Sequence, residues 1–211
     1  MNFDDLVARV VECAGRPGTS IIGIAGAPGA GKSTLAGALV TAATAVLGAG
    51  VVAQVPMDGF HLADTALRDL GRLQRKGAPD TFDAGGYAAL LRRVRAARAE
   101  TVYAPAFERD LEQPIAGALA IGPGVRVIIT EGNYLLLEDP AWRAVAAEID
   151  EIWFVRIDAE TRRHRLIDRH VRFGKSADAA RRWVQLVDEP NAALVETTSS
   201  RADLLIDAAR L

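Results

Sequence analysis

Cysteine is nearly absent from this chain: Cys13 is the only one in 211 residues. A single thiol excludes an intrachain disulfide framework and a cysteine-built metal cluster. It falls on the apolar side of a helical pattern, where a thiol packs inertly. Lysine is scarce as well, at positions 32, 76 and 175 only, and the other basic residues are all arginine. The formal net charge is −2, so no global pull toward nucleic acid or an anionic membrane exists. No basic stripe with interleaved aromatics appears outside one arginine-dense region, so nucleic acid is not an expected partner. No stretch approaches the roughly 20 apolar residues of a membrane span. The start, MNFDDLVARVVE, is acidic and amphipathic and lacks the basic region of a signal peptide. The expectation is a cytoplasmic chain without membrane contact, and one domain over 1–211, since this length suffices for a single sizeable core.

What is present alternates between two periodicities. Residues 2–14 read as an amphipathic helix, with Phe3, Leu6, Val7, Val10 and Val11 at helical spacing. SIIGIAGA is then a short buried strand and residues 32–47 a helix. VVAQVPMD is a second strand, 60–70 a helix, GRLQRKGAPDTFD a polar loop and 84–99 another helix. TVYAPAFERD and QPIAGALAI, within 101–121, are short and Pro-broken and read as a projecting β-hairpin. VRVIITEG, EIWFVRID and DLLID supply three more strands, and 159–189 is an Arg-dense helical lid. The predicted fold is α/β, a three-layer α/β/α architecture on a five-stranded parallel sheet. Ligands of such sheets gather at the carboxyl ends of the strands.

GIAGAPGAGKSTL, 23–35, lies at the first of those ends. Gly26-x-x-x-x-Gly31-Lys32-Ser33 matches the P-loop pattern, which makes this an expected P-loop NTPase fold. Its glycines let the backbone turn tightly and approach phosphate oxygens, and the following helix N-terminus attracts anions. Gly26, Ala27, Gly29, Ala30, Gly31, Lys32, Ser33 and Thr34 form the expected nucleotide-binding set, for ATP. Lys32 brings positive charge to the outer phosphates, and Ser33 offers a hydroxyl to Mg²⁺. Glu131, ending the third core strand opposite the P-loop, is the second residue expected at the metal.

Asp58 ends the second strand and is followed at once by Gly59, a turn that aims its carboxylate into the cleft. A kinase needs such a group to take the acceptor hydroxyl's proton, and Asp58 is the expected base. His61 follows as a candidate acceptor contact. In DAETRRHRLIDRHVRFGK, Arg162, Arg165 and Arg169 recur on one helix face. A mobile lid supplies such groups to the transferring phosphoryl and excludes water. Arg169 is the first choice and Arg165 the second. In kinases of this shape the loop before the last strand flanks the adenine, so Thr198 to Arg201 are candidates there, with Asn191 as a hydrogen-bonding neighbour.

The P-loop, MDGFH, RKGAPDTFD and TEGNYLLL occur here in one chain order. In this they resemble the P-loop kinases that include phosphoribulokinase, uridine/cytidine kinase and bacterial type I pantothenate kinase. RKGAPDTFD is similar to a segment of the pantothenate kinases. The chain as a whole looks like short bacterial nucleoside/nucleotide kinase-like or fructokinase-like proteins. The resemblance implies ATP and Mg²⁺ as cofactors, Asp58 as base and Glu131 at the metal. It implies a hairpin walling the acceptor pocket, which makes Tyr103, Phe107 and Arg109 candidates; Arg75, Lys76 and Asp83 either serve the acceptor or close their loop. The chain is shorter than the pantothenate kinases. It has Pro-Ala-Phe-Glu-Arg-Asp where uridine kinases have Pro-x-Tyr-Asp. The expected partner is a small-molecule hydroxyl acceptor, a sugar, nucleoside or pantothenate-like metabolite. A nucleoside monophosphate kinase and a non-catalytic nucleotide-binding regulator stand as alternatives, and a homodimer is compatible with the sequence.

Overall fold

The structure is a computed structural model that describes residues 2–97 and 99–210, of residue 210 the backbone only. Five strands form the main sheet: β1 (Ser20–Gly26), β2 (Val52–Pro56), β5 (Val127–Glu131), β6 (Glu151–Arg156) and β7 (Leu204–Asp207). All pair in parallel, in the order β2-β5-β1-β6-β7. The inner strands β1 and β5 are buried at every residue, as a sheet covered on both faces requires.

Alternation along the strands sorts the core into two layers. Ile21, Ala25, Ile128, Ile152 and Phe154 face one side and pack with α4 (Ala84–Ala96) and α5 (Pro140–Ala146) through Tyr87, Leu91, Trp142 and Val145. Ile22, Ile24, Val127, Ile129, Trp153 and Val155 face the other, against α1 (Phe3–Ala14) and α2 (Lys32–Leu47). Cys13 is buried in this second layer, its thiol raised in pKa by burial. A capping box starts α1, with the side chains of Asn2 and Asp5 each accepting the other's backbone N–H.

The hairpin stands apart from the main sheet as β3 (Val102–Glu108) and β4 (Gln113–Ile121). Its ladder is irregular between Ala104 and Ala106, which face Leu119 and Ile115. Pro105 sits at the break, where a residue without an N–H costs no ladder bond. The predicted helix over 60–70 shortens to α3 (Asp64–Asp69), preceded by a 3₁₀ turn (Met57–Phe60), and that over 84–99 stops at Ala96. The Arg-dense region holds α6 (Ala159–Arg172) and α7 (Ala177–Trp183), then one π turn (Val184–Asp188) leading into α8 (Glu189–Glu196). Pro190 interrupts the backbone ladder at that junction. The sequence pattern did not single out α5 or α8: both are a few residues long, and each has a proline at its first or second position. No helix among the described residues is long and apolar enough to cross a membrane.

Candidate active site

β1 delivers the chain into the P-loop at its carboxyl end. Gly26 has φ +148°, and a Cβ there would meet the Val155 carbonyl at 2.7 Å. Gly29 has φ +80°, and a Cβ would meet Leu166 Cγ at 2.8 Å. The loop is thus pressed against β6 and α6, and only glycine fits either position. No side chain caps the N-terminus of α2, so its first amides are left for an anion. Ala27 and Ala30 are buried inside the loop; Ser33 and Thr34 are exposed at the helix start.

Lys32 is 7% exposed and donates to Ala27 O at 3.0 Å and Asn133 Oδ1 at 2.6 Å. Burial lowers its pKa to about 8, against the pull of the Glu131 and Asp58 carboxylates. Ser33 Oγ donates to Glu131 Oε1 at 2.9 Å. Burial, reinforced by the Asp58 charge, pushes the Glu131 carboxyl up to about 7. Among the described residues no group of three His, Cys, Asp or Glu could hold a metal alone. One hydroxyl and one carboxylate beside a phosphate cradle do fit Mg²⁺, which keeps several waters and takes phosphate oxygens.

Asp58 lies in the 3₁₀ turn after β2. Its Oδ2 accepts from Arg109 Nη2 at 3.0 Å. Burial raises its pKa, but the charges of His61, Arg109, Lys32 and Arg169 outweigh burial and hold the carboxyl below its ordinary range. With its Nδ1 protonated, His61 donates to the Asp58 carbonyl at 2.8 Å. Its ring stacks on Phe82 and Phe107, with centroids at 4.1 and 4.7 Å. Burial lowers the His61 pKa, against the pull of the Asp58 carboxylate.

Two cavities meet at this point. One, of about 600 Å³, contains Asp58, His61, Phe107, Glu131 and Asn133 in its wall. The other, of about 790 Å³, follows the P-loop past Arg165 to Phe3, Val155 and Ala208. Gly29, Lys32, Ser33, Arg109 and Arg169 line both. Burial and the neighbouring Arg109 lower the Arg169 pKa from its ordinary value.

Some candidates lie elsewhere. Tyr103 is 61% exposed on the hairpin and lines neither cavity. Arg162 does not share the cavity face of Arg165 and Arg169; it is buried under the P-loop and paired with Glu189. Arg75 pairs with Asp80 at 2.6 Å and Asp83 caps α4 through Gly86 N at 2.8 Å, so both close local structure. Lys76 does line the first cavity. Thr198 and Arg201 line neither cavity, and Asn191 sits in the first, away from the P-loop's outer side.

Other lining residues were not foreseen. Asn133 is two positions past Glu131 in TEGNYLLL, and its place beside a strand-end acid could have marked it. His170 Nε2 and Asp188 Oδ2 lie 2.8 Å apart, with Trp183 nearby, in the first cavity's lid wall. Phe3 and Ala208 come from opposite ends of the chain and carry no local signal.

No family model matches the chain. The Aspergillus versicolor "ATP-dependent kinase-like protein notR'" is 42% identical over 131 residues, 59% of this chain and 76% of that protein. The Schizosaccharomyces pombe protein named "Putative uridine kinase C227.14" is 32% identical over 219 aligned residues, 100% of this chain and 92% of its own length. The crystal structure of a "putative fructose transport system kinase" from Silicibacter sp. TM1040 superposes with a TM-score of 0.86 at 38% identity, covering 97% of this chain and 98% of the other. With the P-loop at the end of β1 and a second cavity beside it, these likenesses show that the chain belongs to the uridine kinase-like P-loop kinases.

Proposed function

We propose that this kinase transfers the γ-phosphoryl of Mg-ATP to a hydroxyl of a small metabolite of the sugar, nucleoside or pantothenate kind. The supporting observation is the meeting of two cavities over Lys32 and Ser33, with Asp58 in the wall of only one. The P-loop cavity takes the nucleotide and the Asp58 cavity the acceptor. Ser33 and Glu131 would hold Mg²⁺, which would neutralise charge on the outer phosphate oxygens. Glu131 orients the Ser33 hydroxyl through their hydrogen bond. Asp58 accepts the acceptor's hydroxyl proton as the new O–P bond forms and the β–γ bridging bond breaks, releasing ADP. Lys32 and Arg169, both at the junction, take up the charge that develops. A positive group so placed is worth roughly 10³-fold or more in rate. Arg165, on the nucleotide side only, holds the lid over the donor.

The nucleoside monophosphate alternative fares worse. An acceptor phosphate would meet Asp58, and Arg75, one of the cations it would call on, is turned to Asp80. A cytoplasmic setting suits an ATP-consuming chain whose one cysteine is buried and unpaired.

ADP release in Mg-ATP tests the proposal against fructose and other sugars, glycerate, pantothenate, uridine, cytidine and nucleoside monophosphates. One acceptor should raise ADP release well above the water background. Asp58→Asn should then cut that rate about 10²-fold or more, with ATP affinity kept within a few-fold. Normal turnover in the variant with that acceptor would remove Asp58 from the role.

A further inference from the structure

We propose that Arg109 is a gate between the two cavities: it holds Asp58 while the acceptor cavity is empty and turns to the transferring phosphoryl when a hydroxyl arrives. The inference rests on the kinase reading above and goes beyond it, because it gives the chain a means of excluding water as an acceptor. Arg109 and Arg169 both line the two cavities, but of the pair it is Arg109 that is bonded to the base, at 3.0 Å.

The backbone under Arg109 is pinned on both sides. Lys76, its side chain 12% exposed, reaches across to the hairpin turn, where Nζ donates to the Glu112 carbonyl while pairing with Asp64 Oδ1 at 2.6 Å. Asp64 N–H donates to Gln113 Oε1 at 3.2 Å, tying α3 to the start of β4. Glu112 has φ +52°, a left-handed conformation that a non-glycine residue holds only where its surroundings impose it. On the other side, the Pro105 carbonyl is packed so closely on Gly59 that a Cβ there would lie 2.4 Å from its oxygen. The Arg109 side chain has more freedom. It is 37% exposed, its guanidinium lies 5.7 Å from the Phe107 ring centroid, and its tip is held by Asp58. Side-chain rotation alone therefore carries the guanidinium from one cavity to the other.

The chemistry gives that rotation a direction. A carboxylate bonded to a guanidinium has one oxygen occupied and is stabilised as the anion, which makes it a weaker base. Asp58 becomes free when Arg109 finds another anion, and the transferring phosphoryl is the one both cavities share. An acceptor seated against His61 and Phe107 is held long enough for the exchange; a lone water is not. In the leak reaction, water's oxygen bonds to the γ-phosphorus, the β–γ bridging bond breaks to release ADP, and the water proton passes to Asp58. Arg109 suppresses that step by occupying Asp58.

The test needs no knowledge of the acceptor. ADP release from Mg-ATP alone is measured for the full chain and for Arg109→Met, Arg109→Gln, Arg109→Lys and the double variant Asp58→Asn/Arg109→Met. Nucleotide affinity is followed by titration of a fluorescent ATP analogue. Removing the charge in Arg109→Met should raise acceptor-independent hydrolysis about 10-fold. Arg109→Gln, which keeps length and polarity, is the second variant should the methionine disturb folding, and it should show the same rise. Arg109→Lys should stay near the parent rate, and adding Asp58→Asn should abolish the gain. Retained nucleotide affinity with hydrolysis no faster in either uncharged variant would overturn the gate and leave the kinase reading standing. A parent chain that does not bind Mg-ATP would remove the kinase reading, and the gate with it.

Discussion

The cavity behind the P-loop and the cavity in front of it meet at Lys32, yet they are walled by different means. The side we assign to the nucleotide takes nearly half of its wall from one continuous segment, Gly29 to Leu35, and much of what that segment offers a phosphate is backbone N–H. The side we assign to the acceptor is assembled mainly from side chains of the 3₁₀ turn after β2, the 73–82 loop, the hairpin, the start of α2, the end of β5 and the lid. Backbone cannot be exchanged by substitution, so the first wall serves one ligand class. The second can be re-cut residue by residue while the fold stays, which is how one scaffold comes to take different acceptors. Substitutions on the nucleotide side should therefore act on every acceptor alike, and those on the acceptor side selectively.

Lys32→Ala puts the largest expected effect on the shared floor. It removes the buried charge facing both cavities and frees the Asn133 contact of 2.6 Å. Turnover should fall about 10³-fold and nucleotide affinity with it, whichever acceptor is used. Steady-state kinetics and a nucleotide titration measure the two losses, and unchanged kinetics would refute the cradle assignment.

Glu131 extends the comparison to the metal-free protein. Its carboxyl, buried and close to Asp58, titrates near 7 in the native state and near its ordinary 4.5 when unfolded. The native state thus binds more protons between those values, and stability is lost as pH rises through about 7. The loss is on the order of 3 kcal/mol. Melting of the metal-free chain between pH 4.5 and 8 should show the decline set against an opposite rise toward pH 6.5 from His61, whose pKa burial lowers, and Glu131→Gln should leave that rise alone. The lowered Lys32 pKa acts above pH 8, outside that window. A wild-type profile the same as the variant's would show that Glu131 is not desolvated as its burial requires.

Much of the donor side was legible because its residues are neighbours in sequence. Gly26 to Ser33 announce the cradle by spacing alone, and Asp58 and Glu131 announce themselves as acids at strand ends. The five strands were legible for a related reason, being short apolar runs bounded by turns. The rest depends on contacts that periodicity does not encode. Arg162, Arg165 and Arg169 share a stripe in the sequence, but the P-loop packs on Arg162 and buries it. The Lys76–Asp64 bond and the His170–Asp188 pair join residues 12 and 18 positions apart, and both lie in the acceptor wall. No local rule selects those partners from the other charged side chains.

Gly59→Ala probes how the acceptor side is held. A Cβ would stand 2.4 Å from the Pro105 oxygen, a backbone atom that yields only if the hairpin moves. The expected cost is about 1–3 kcal/mol in stability. Displacing Arg109 and Phe107 from Asp58 should lower acceptor-dependent turnover by up to about 10²-fold, with nucleotide affinity unchanged. Gly117→Ala is the control in the same hairpin, since a Cβ there meets open space and only its φ of +68° resists. A thermal melt and acceptor kinetics separate the two, and equal turnover losses would mean that the hairpin acts through its fold rather than its seat on Gly59.

The smallest effects come from two aromatics of one strand. On a straight strand Tyr103 and Phe107 would share a face, because side chains repeat every second residue. Between them lies a register shift in the ladder, with the extra residues on β4. Beyond it, Phe107 lies in the acceptor wall, stacked on His61 at 4.7 Å with the Lys76 ammonium 5.5 Å from its ring centroid. Before it, Tyr103 stands 61% exposed. Phe107→Ala should raise the acceptor KM about 10-fold with a smaller change in kcat, the loss of one apolar contact that ground and transition states share. Tyr103→Ala should leave KM within about 2-fold and stability within about 0.5 kcal/mol. Steady-state kinetics on the identified acceptor decide between them. A KM shift in Tyr103→Ala matching that of Phe107→Ala would mean that the hairpin straightens over the bound acceptor, bringing both rings onto the face that their spacing in the sequence predicts.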